Sequence, residues 1–478
     1  MGLSLFSSTE ARRQLRRNVT GILLIVTLSV SVIVLECQTE RRSFDEFPRR
    51  YNPDPRHEQL MGDHKPMIPD PMIREPIIQI APKAIVQKRF LEPTSFPSTP
   101  DIPEPSTDCE AHTHVVYIKT HKTGSTTLET LFNRFGYFHN LSFIFNGKQK
   151  YGHFEAMDLR KANMLEQLLP PLGVETGDYA RYKNYETSAI HVRFYRDVFD
   201  RFMAKDTRYV SSVRDPADQW ESAFNHFGFR KAISQLADAN GQMVNITKTH
   251  KVPFNENNST LDAIHEFLRM PKLYLEVLKK KGKVIYHFAN NDQTYDLSTD
   301  LESTQLHDEK LVNRTIDRLV DELDVVIVNE YFDESLLVMK KEFCWEFTDI
   351  LYISQNKRAV KEMLPEKTRA KIRDFNRADT LLHQRFNESL WKKIEAYGPD
   401  FQKDLNHYRQ MLIDVNSECS AEGKSKKHGF NYQIYNVKAK KNATLFCRFM
   451  ADNFLMTFRR VFERQRNQTI IKTRKIKQ

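Results

Sequence analysis

Two short stretches of this chain carry residue types suited to binding anions. In the first, Lys119, Thr120, His121, Lys122, Thr123, Gly124, Ser125, Thr126 and Thr127 follow one another, so two lysines and five hydroxyls surround one glycine. An apolar run ends just before them at Ile118, and Leu128, Leu131, Phe132 and Phe135 recur behind them at helical spacing. A tight turn between a strand and a helix start aims backbone N–H groups at one point, and lysines beside it add charge. That makes a cradle for phosphate or sulfate. The nucleoside-triphosphate loop Gly-x-x-x-x-Gly-Lys-Ser/Thr is excluded, because Ser125 stands where its Lys must follow the last Gly. An ordinary basic strand-to-helix turn is the other reading of the same residues.

The second stretch runs from Tyr209 to Phe227. Arg214 ends an apolar run, Asp215 can cap a helix, Pro216 fits its first position, and Ser222 follows about two turns on. An Arg at a strand end and a Ser on the next helix can share one phosphate, the first supplying charge and the second a directed hydroxyl. A structural Arg–Asp pair at a helix cap is the alternative. Together the two stretches suit a ligand with two separated anionic groups.

Elements must hold these residues in place. Apolar runs at residues 114–118, 209–213, 284–288 and 325–328 read as buried strands, with helical stretches between them. That alternation predicts an α/β fold with a mostly parallel sheet covered by helices on both faces. Ligands then bind at the carboxyl ends of the strands, where both stretches fall.

Of 478 residues, 72 are Lys or Arg and 62 Asp or Glu, a formal charge of +10. The charge sits at the ends: residues 456–478 carry a net +7 and residues 1–18 a net +3, so the body between them is neutral. Nucleic-acid binding loses its compositional support, and the basic end reads as a solvated, disordered tail. Residues 19–35 are uncharged and apolar, at the short end of what crosses a hydrocarbon core of about 30 Å. Four arginines precede them and place residues 1–18 on the cytoplasmic side. The run continues past Ser29 and Ser31, where a cleaved signal peptide would end, which favours an uncleaved anchor. Residues 36–108 form an extended stem, since thirteen of the twenty prolines lie between Pro48 and Pro105. The folded body is expected at 109–455 and the basic tail at 456–478. Eight Asn-x-Ser/Thr sites after the anchor agree with a lumenal body. Cys109, Cys344, Cys419 and Cys447 should form one or two disulfides there, in any of three pairings. Cys37, at the membrane edge, could link a homodimer or be acylated.

Lys119 to Thr126 resembles the 5′-phosphosulfate loop of the galactose 3-O-sulfotransferases, Golgi carbohydrate sulfotransferases that include galactosylceramide sulfotransferase. Gly124 stands where that family often has Ala. Arg214-Asp215-Pro216 through Ser222 looks like its 3′-phosphate motif. The segment Glu330-Tyr331-Phe332-Asp333-Glu334-Ser335-Leu336-Leu337, with Cys344-Trp345-Glu346 and Asp349-Ile350-Leu351-Tyr352, is similar to the family nearly residue for residue. The residues themselves suggest no chemistry for that segment beyond a helix packed on the core. The resemblance spans about His114 to Tyr408 and thins over residues 239–260.

It implies a P-loop-type sulfotransferase fold and the donor 3′-phosphoadenosine 5′-phosphosulfate. It also implies a type II Golgi membrane protein with a lumenal catalytic domain, acting on a galactose-terminated glycolipid or glycoprotein glycan. On that basis Lys119 and Lys122 supply charge at the transferred group. Ser125, Thr126 and Thr127, with Thr120, Thr123 and Gly124, hold the 5′-phosphosulfate, and Arg214 and Ser222 hold the 3′-phosphate. His121, inside the loop, is the expected base, since an unperturbed imidazole titrates near neutral pH. His191 is the alternative base, and a structural histidine equally. No metal is expected: lysines take its place, and no Cys or His cluster has ligand spacing. A glycosaminoglycan acceptor and an inactive, membrane-tethered glycan-binding relative are the competing readings.

Overall fold

Four short strands pair side by side, all parallel: β1 (Val115–Ile118), β2 (Thr187–Ile190), β3 (Arg208–Val213) and β4 (Val325–Val328), in the order β2-β1-β3-β4. The computed structural model describes residues 109–147, 165–230, 259–281, 286–298, 301–354, 363–421 and 433–476, with the short strands Gln235–Ala237, Met243–Asn245, Lys357–Arg358 and Ser425–His428. All of them fall in one unit, Asp101–Gln478. The expected anchor at 19–35 and stem at 36–108 lie outside the described residues. Among the described residues no helix is long and apolar enough to cross a membrane.

Alternation along the strands explains the two-sided core. Val116 and Ile118 of β1 share one apolar cluster with Tyr209, Val213, Val326 and Val328. Val115 and Tyr117 share the opposite cluster with Val210, Val325 and Ile327. Helix α1 (Ser125–Phe138) covers the second face with Leu128, Leu131, Phe132 and Phe135. Each such fully buried side chain stabilises the fold by about 1.5–3 kcal/mol. Helix α2 (Pro216–His226) packs Trp220 and Phe224 into a third cluster to the side. The remaining site helices are α3 (Asp292–Leu297), α4 (Phe332–Phe343), α5 (Glu366–Phe375) and α6 (Arg377–Tyr397).

The strands expected at 114–118, 209–213 and 325–328 are present within one residue. The strand expected at 284–288 is not: Tyr286 and His287 are helical, Phe288 lies in a turn, and residues 284–285 lie outside the described set. The fourth strand is instead β2, beside β1, whose Thr187 and Ser188 are polar although fully buried, so it lacks the apolar signature.

The basic end is also corrected. Helix α7 (Phe454–Ile476) runs through the boundary set at 455/456 and packs on α1. Val461, Thr457 and Gln465 are fully buried. Gln465 brackets the Phe143 peptide, accepting from its N–H at 2.8 Å and donating to its carbonyl at 3.0 Å. Arg464 donates to the carbonyls of Tyr137 and Leu141 at 2.7 and 2.6 Å. Counting charges hid the apolar stripe that docks this helix.

The four body cysteines pair as Cys109–Cys344 and Cys419–Cys447, with Cα atoms 5.9 and 4.9 Å apart. The segment around Cys344 has a structural role. Buried Arg134 of α1 donates to the carbonyls of Thr348, Asp349 and Leu351 at 3.0, 2.5 and 2.5 Å, and burial pulls its pKa down to about 10. Trp345 stacks on Phe135 at 3.9 Å and donates to the His112 carbonyl at 2.8 Å.

Candidate active site

The strand order reverses between β1 and β3, because the chain goes outward from β1 to β2 and then crosses back to β3. A crevice at such a point is where open α/β sheets bind ligands. The loops leaving β1 and β3 are the two stretches picked out by sequence, and the sheet brings them together.

The first loop is shaped by two left-handed residues, Lys122 at φ 62° and Gly124 at φ 80°. A Cβ on Gly124 would lie 2.6 Å from the side-chain nitrogen of Asn329. Helix α1 starts there with no capping side chain and no acidic residue in its first turn, so its N-terminal charge is unopposed. Ser125 and Thr127 are buried in that turn and Thr126 is partly exposed. Thr120 and Thr123 depart from expectation. Both are fully buried, with hydroxyls bonded to each other at 2.8 Å and to Ser212 at 2.6 and 2.7 Å. They staple the loop to β3, which leaves only their backbone N–H groups for an anion.

Lys119 departs as well. It is 6% exposed, and its Nζ donates to Glu129 of α1 at 2.6 Å. The strand end turns it beneath the helix rather than toward the loop rim, and its charge is met there. The cations at the loop are Lys122, partly exposed, and Arg214, whose Nη1 donates to the Lys122 carbonyl at 3.2 Å.

The Arg214 backbone is gripped from both sides by Gln293, which accepts from its N–H at 2.7 Å and donates to its carbonyl at 3.0 Å. Its Nε is buried without a partner. The Arg–Asp pair considered from sequence does not form. Asp215 caps α2, accepting from Ala217 N at 2.7 Å, and pairs with Arg373 of α5 at 2.7 Å. Burial pushes the Asp215 carboxyl up, but the hydrogen bond and charge of Arg373 prevail and hold it below the usual range. Ser222 lies two turns along α2, 8% exposed. An orphaned guanidinium nitrogen beside an uncapped helix start fits a ligand with two anionic groups.

Both loops are clamped from the end of β4. Asn329 donates to the Thr123 carbonyl at 3.1 Å, and Glu330 accepts from Asp215 N at 2.9 Å and meets His383 Nε2 at 3.1 Å. Here the Glu330 segment acquires a role that its residues alone did not suggest.

His121 is held by a buried helix that sequence reasoning missed. Its backbone N–H and its Nδ1 both meet Asp296 Oδ2, at 3.1 and 2.7 Å. Its ring stacks on His191 at 4.2 Å and lies 4.3 Å from Phe288. His191 Nδ1 donates to the Lys119 carbonyl at 3.0 Å. Asp292 Oδ1 lies 3.6 Å from the same His121 nitrogen and has no hydrogen-bond partner, while its Oδ2 accepts from Gln219 at 2.8 Å. Asp379 of α6 caps the helix, accepting from Gln293 and Thr294 N–H at 3.2 and 2.7 Å. The available signal was the run Asn290-Asn291-Asp292-Gln293-Thr294, five polar residues between apolar neighbours. The fold thus makes a group that linear spacing could not show: His121, Asp292 and Asp296 place one donor atom each within 4.8 Å of one another.

Burial pushes the Asp292 carboxyl well up, with the charges of Asp296 and Asp379 adding to it. Burial likewise raises Asp379, to about 6, against its bonds from Thr294 and Gln293. A carboxyl raised on folding stabilises fully below its unfolded value near 3.9, and that contribution is lost as pH rises through the folded value. Asp379 alone should cost on the order of 3 kcal/mol between pH 4 and pH 7. Asp292→Asn is therefore expected to lose less stability than wild type as pH rises from 5 to 8 in thermal unfolding. Equal slopes for the two proteins would contradict the assignment.

The galactose-3-O-sulfotransferase family model matches residues 89–438, which include every site residue described above. The chain belongs to that family. It is 30% identical to galactosylceramide sulfotransferase of Bos taurus over 296 residues, covering 61% of this chain and 60% of that protein. It is 28% identical to galactose-3-O-sulfotransferase 3 of Mus musculus over 319 residues, 63% of each. The alignments span about three fifths of these relatives' length. Helix α7 lies beyond the family match although it packs on α1.

Proposed function

We propose that the chain transfers a sulfuryl group from 3′-phosphoadenosine 5′-phosphosulfate to the 3-hydroxyl of a terminal galactose on a glycolipid or glycoprotein glycan. The observation that carries this reading is the pairing, at the carboxyl ends of β1 and β3, of an uncapped helix start with Lys122 and a half-buried Arg214 whose buried Nε lacks a partner. Membership of the family and the names of its relatives support sulfuryl transfer to galactose.

When bound, the donor supplies an activated sulfuryl group and a phosphate leaving group. The first turn of α1, with Ser125, Thr126 and Thr127, faces the 5′ end, and Arg214 and Ser222 hold the 3′-phosphate. Lys122 lends positive charge where negative charge develops. His121 takes the acceptor proton at Nε2, the nitrogen not engaged with Asp296. Lysine charge serves in place of a metal. The same reading places residues 19–35 in a Golgi membrane with the body lumenal; two disulfides suit that oxidising compartment.

Calorimetry with adenosine 3′,5′-bisphosphate tests the donor site. The full chain should bind it, and Arg214→Ala should weaken binding by about 10- to 150-fold, the loss of a charge-assisted hydrogen bond worth roughly 1.5–3 kcal/mol. Equal affinity for the two proteins would contradict the placement.

A further inference from the structure

We propose that Asp296 is a positioning residue for the transfer step, holding His121 as the Nδ1–H tautomer so that Nε2 is the nitrogen that receives the acceptor proton. The inference rests on the function proposed above and adds a residue on a different element, 175 positions along the chain from the histidine.

One oxygen of Asp296 collects two donors from the same residue, the His121 peptide N–H at 3.1 Å and the ring Nδ1 at 2.7 Å. The first fixes the loop and the second fixes the ring, so neither can shift without losing the other. The opposite tautomer would turn an imidazole lone pair toward a carboxylate, which electrostatics disfavours. Asp296 is itself held: Phe194 N–H donates to its carbonyl at 3.0 Å, and Asp379 caps the helix that carries it. The ring cannot easily tilt, because His191 stacks on it at 4.2 Å and Phe288 lies 4.3 Å away. The ionisable groups around the pair are Asp292 on the same helix, Asp379 on α6 and His191 after β2. Asp292 Oδ1, at 3.6 Å from Nδ1 and otherwise unpartnered, is too far to replace Asp296 as acceptor.

In the step, the acceptor O–H proton passes to His121 Nε2 while the acceptor oxygen bonds to sulfur. The bond from sulfur to the donor phosphate oxygen breaks, and its electron pair leaves with the phosphate. Nothing is oxidised or reduced. The imidazolium that results carries its Nδ1–H against the Asp296 charge, as a histidine held by an aspartate does in acyl transfer.

The test compares full-length wild type with Asp296→Ala, Asp296→Asn, His121→Ala and the double variant His121→Ala/Asp296→Ala. Asp296→Ala should lower kcat by about 10²-fold or more, with donor KM and adenosine 3′,5′-bisphosphate affinity within about threefold of wild type. The double variant should be no slower than His121→Ala, because Asp296 acts only through that ring. Asp296→Asn keeps the side-chain shape and guards against a variant that fails to fold. Imidazole nitrogen NMR of the 15N-histidine-labelled protein should show His121 as Nδ1–H in wild type and as a tautomer mixture in Asp296→Asn.

Losses that multiply in the double variant would overturn the proposal, as would an Asp296→Ala enzyme within threefold of wild type. A wild-type protein that transfers sulfate to no galactoside would sink the proposed function instead, and the NMR tautomer would still decide the role of Asp296. Displacement of the Nδ1 proton by added Mn²⁺ would assign His121, Asp292 and Asp296 to a cation and overturn the proposal.

Discussion

Replacing His121 with Ala is expected to lower kcat by about 10²- to 10⁴-fold, the range a single positioned base contributes. Affinity for adenosine 3′,5′-bisphosphate should change by less than about threefold. The split follows from geometry. The His121 ring is bonded to Asp296 and stacked on His191, whereas the anion cradle is built from the start of α1, Lys122 and Arg214. Removing the ring takes away the proton acceptor without touching the cradle. His191 donates from Nδ1 to the Lys119 carbonyl rather than to a carboxylate, so an imidazolium there gains less charge stabilisation than His121 has from Asp296. Steady-state rates with saturating donor decide the matter. A variant that turns over near the wild-type rate would remove His121 from the chemistry.

Lys122→Ala should lower kcat by about 10²- to 10³-fold, the loss measured when one preorganised charge or donor is removed from a developing anion. It is partly exposed, has a left-handed φ of 62°, and lies three residues before the uncapped helix start at Ser125. Lys119→Ala should behave differently. Its Nζ is paired with Glu129, so the variant leaves a buried carboxylate without its partner and should fail mainly in stability. Single-turnover rates for Lys122→Ala and thermal melts for Lys119→Ala separate the two lysines. Equal kcat losses in two equally stable variants would contradict the distinction.

Much of this arrangement was legible in the sequence because its signals are local. The strands at 114–118, 209–213 and 325–328 are apolar runs, and each of the two loops follows directly from one. Local signals also misled. The 284–288 run looks like a strand, yet Phe288 serves instead to pack against His121. Strand β2 was hidden because Thr187 and Ser188 are polar although fully buried. Helix α7 was hidden because its charge count drew attention from Val461, Phe462 and Gln465, which dock it.

What no local pattern could reveal is how distant segments complete the site. Asp296 reaches His121 from 175 positions away, Gln293 grips Arg214 from 79, and Asn329 reaches Thr123 from 206. Such contacts depend on the strand order, and a sheet with another order would not make them. For the same reason the hydroxyls of Thr120 and Thr123 read as ligands in sequence. Only the pairing of β1 with β3 turns them inward to Ser212.

The most direct measurement is transfer of labelled sulfate from 3′-phosphoadenosine 5′-phosphosulfate by the full chain. The acceptors are terminal β-galactosides, lipid-linked and glycan-linked, and glycosaminoglycan oligosaccharides. Label on the galactose 3-hydroxyl, lost in His121→Ala and Lys122→Ala, is the predicted result. Label confined to glycosaminoglycans, or no label from a protein that binds adenosine 3′,5′-bisphosphate, would contradict the assignment of galactose as the acceptor.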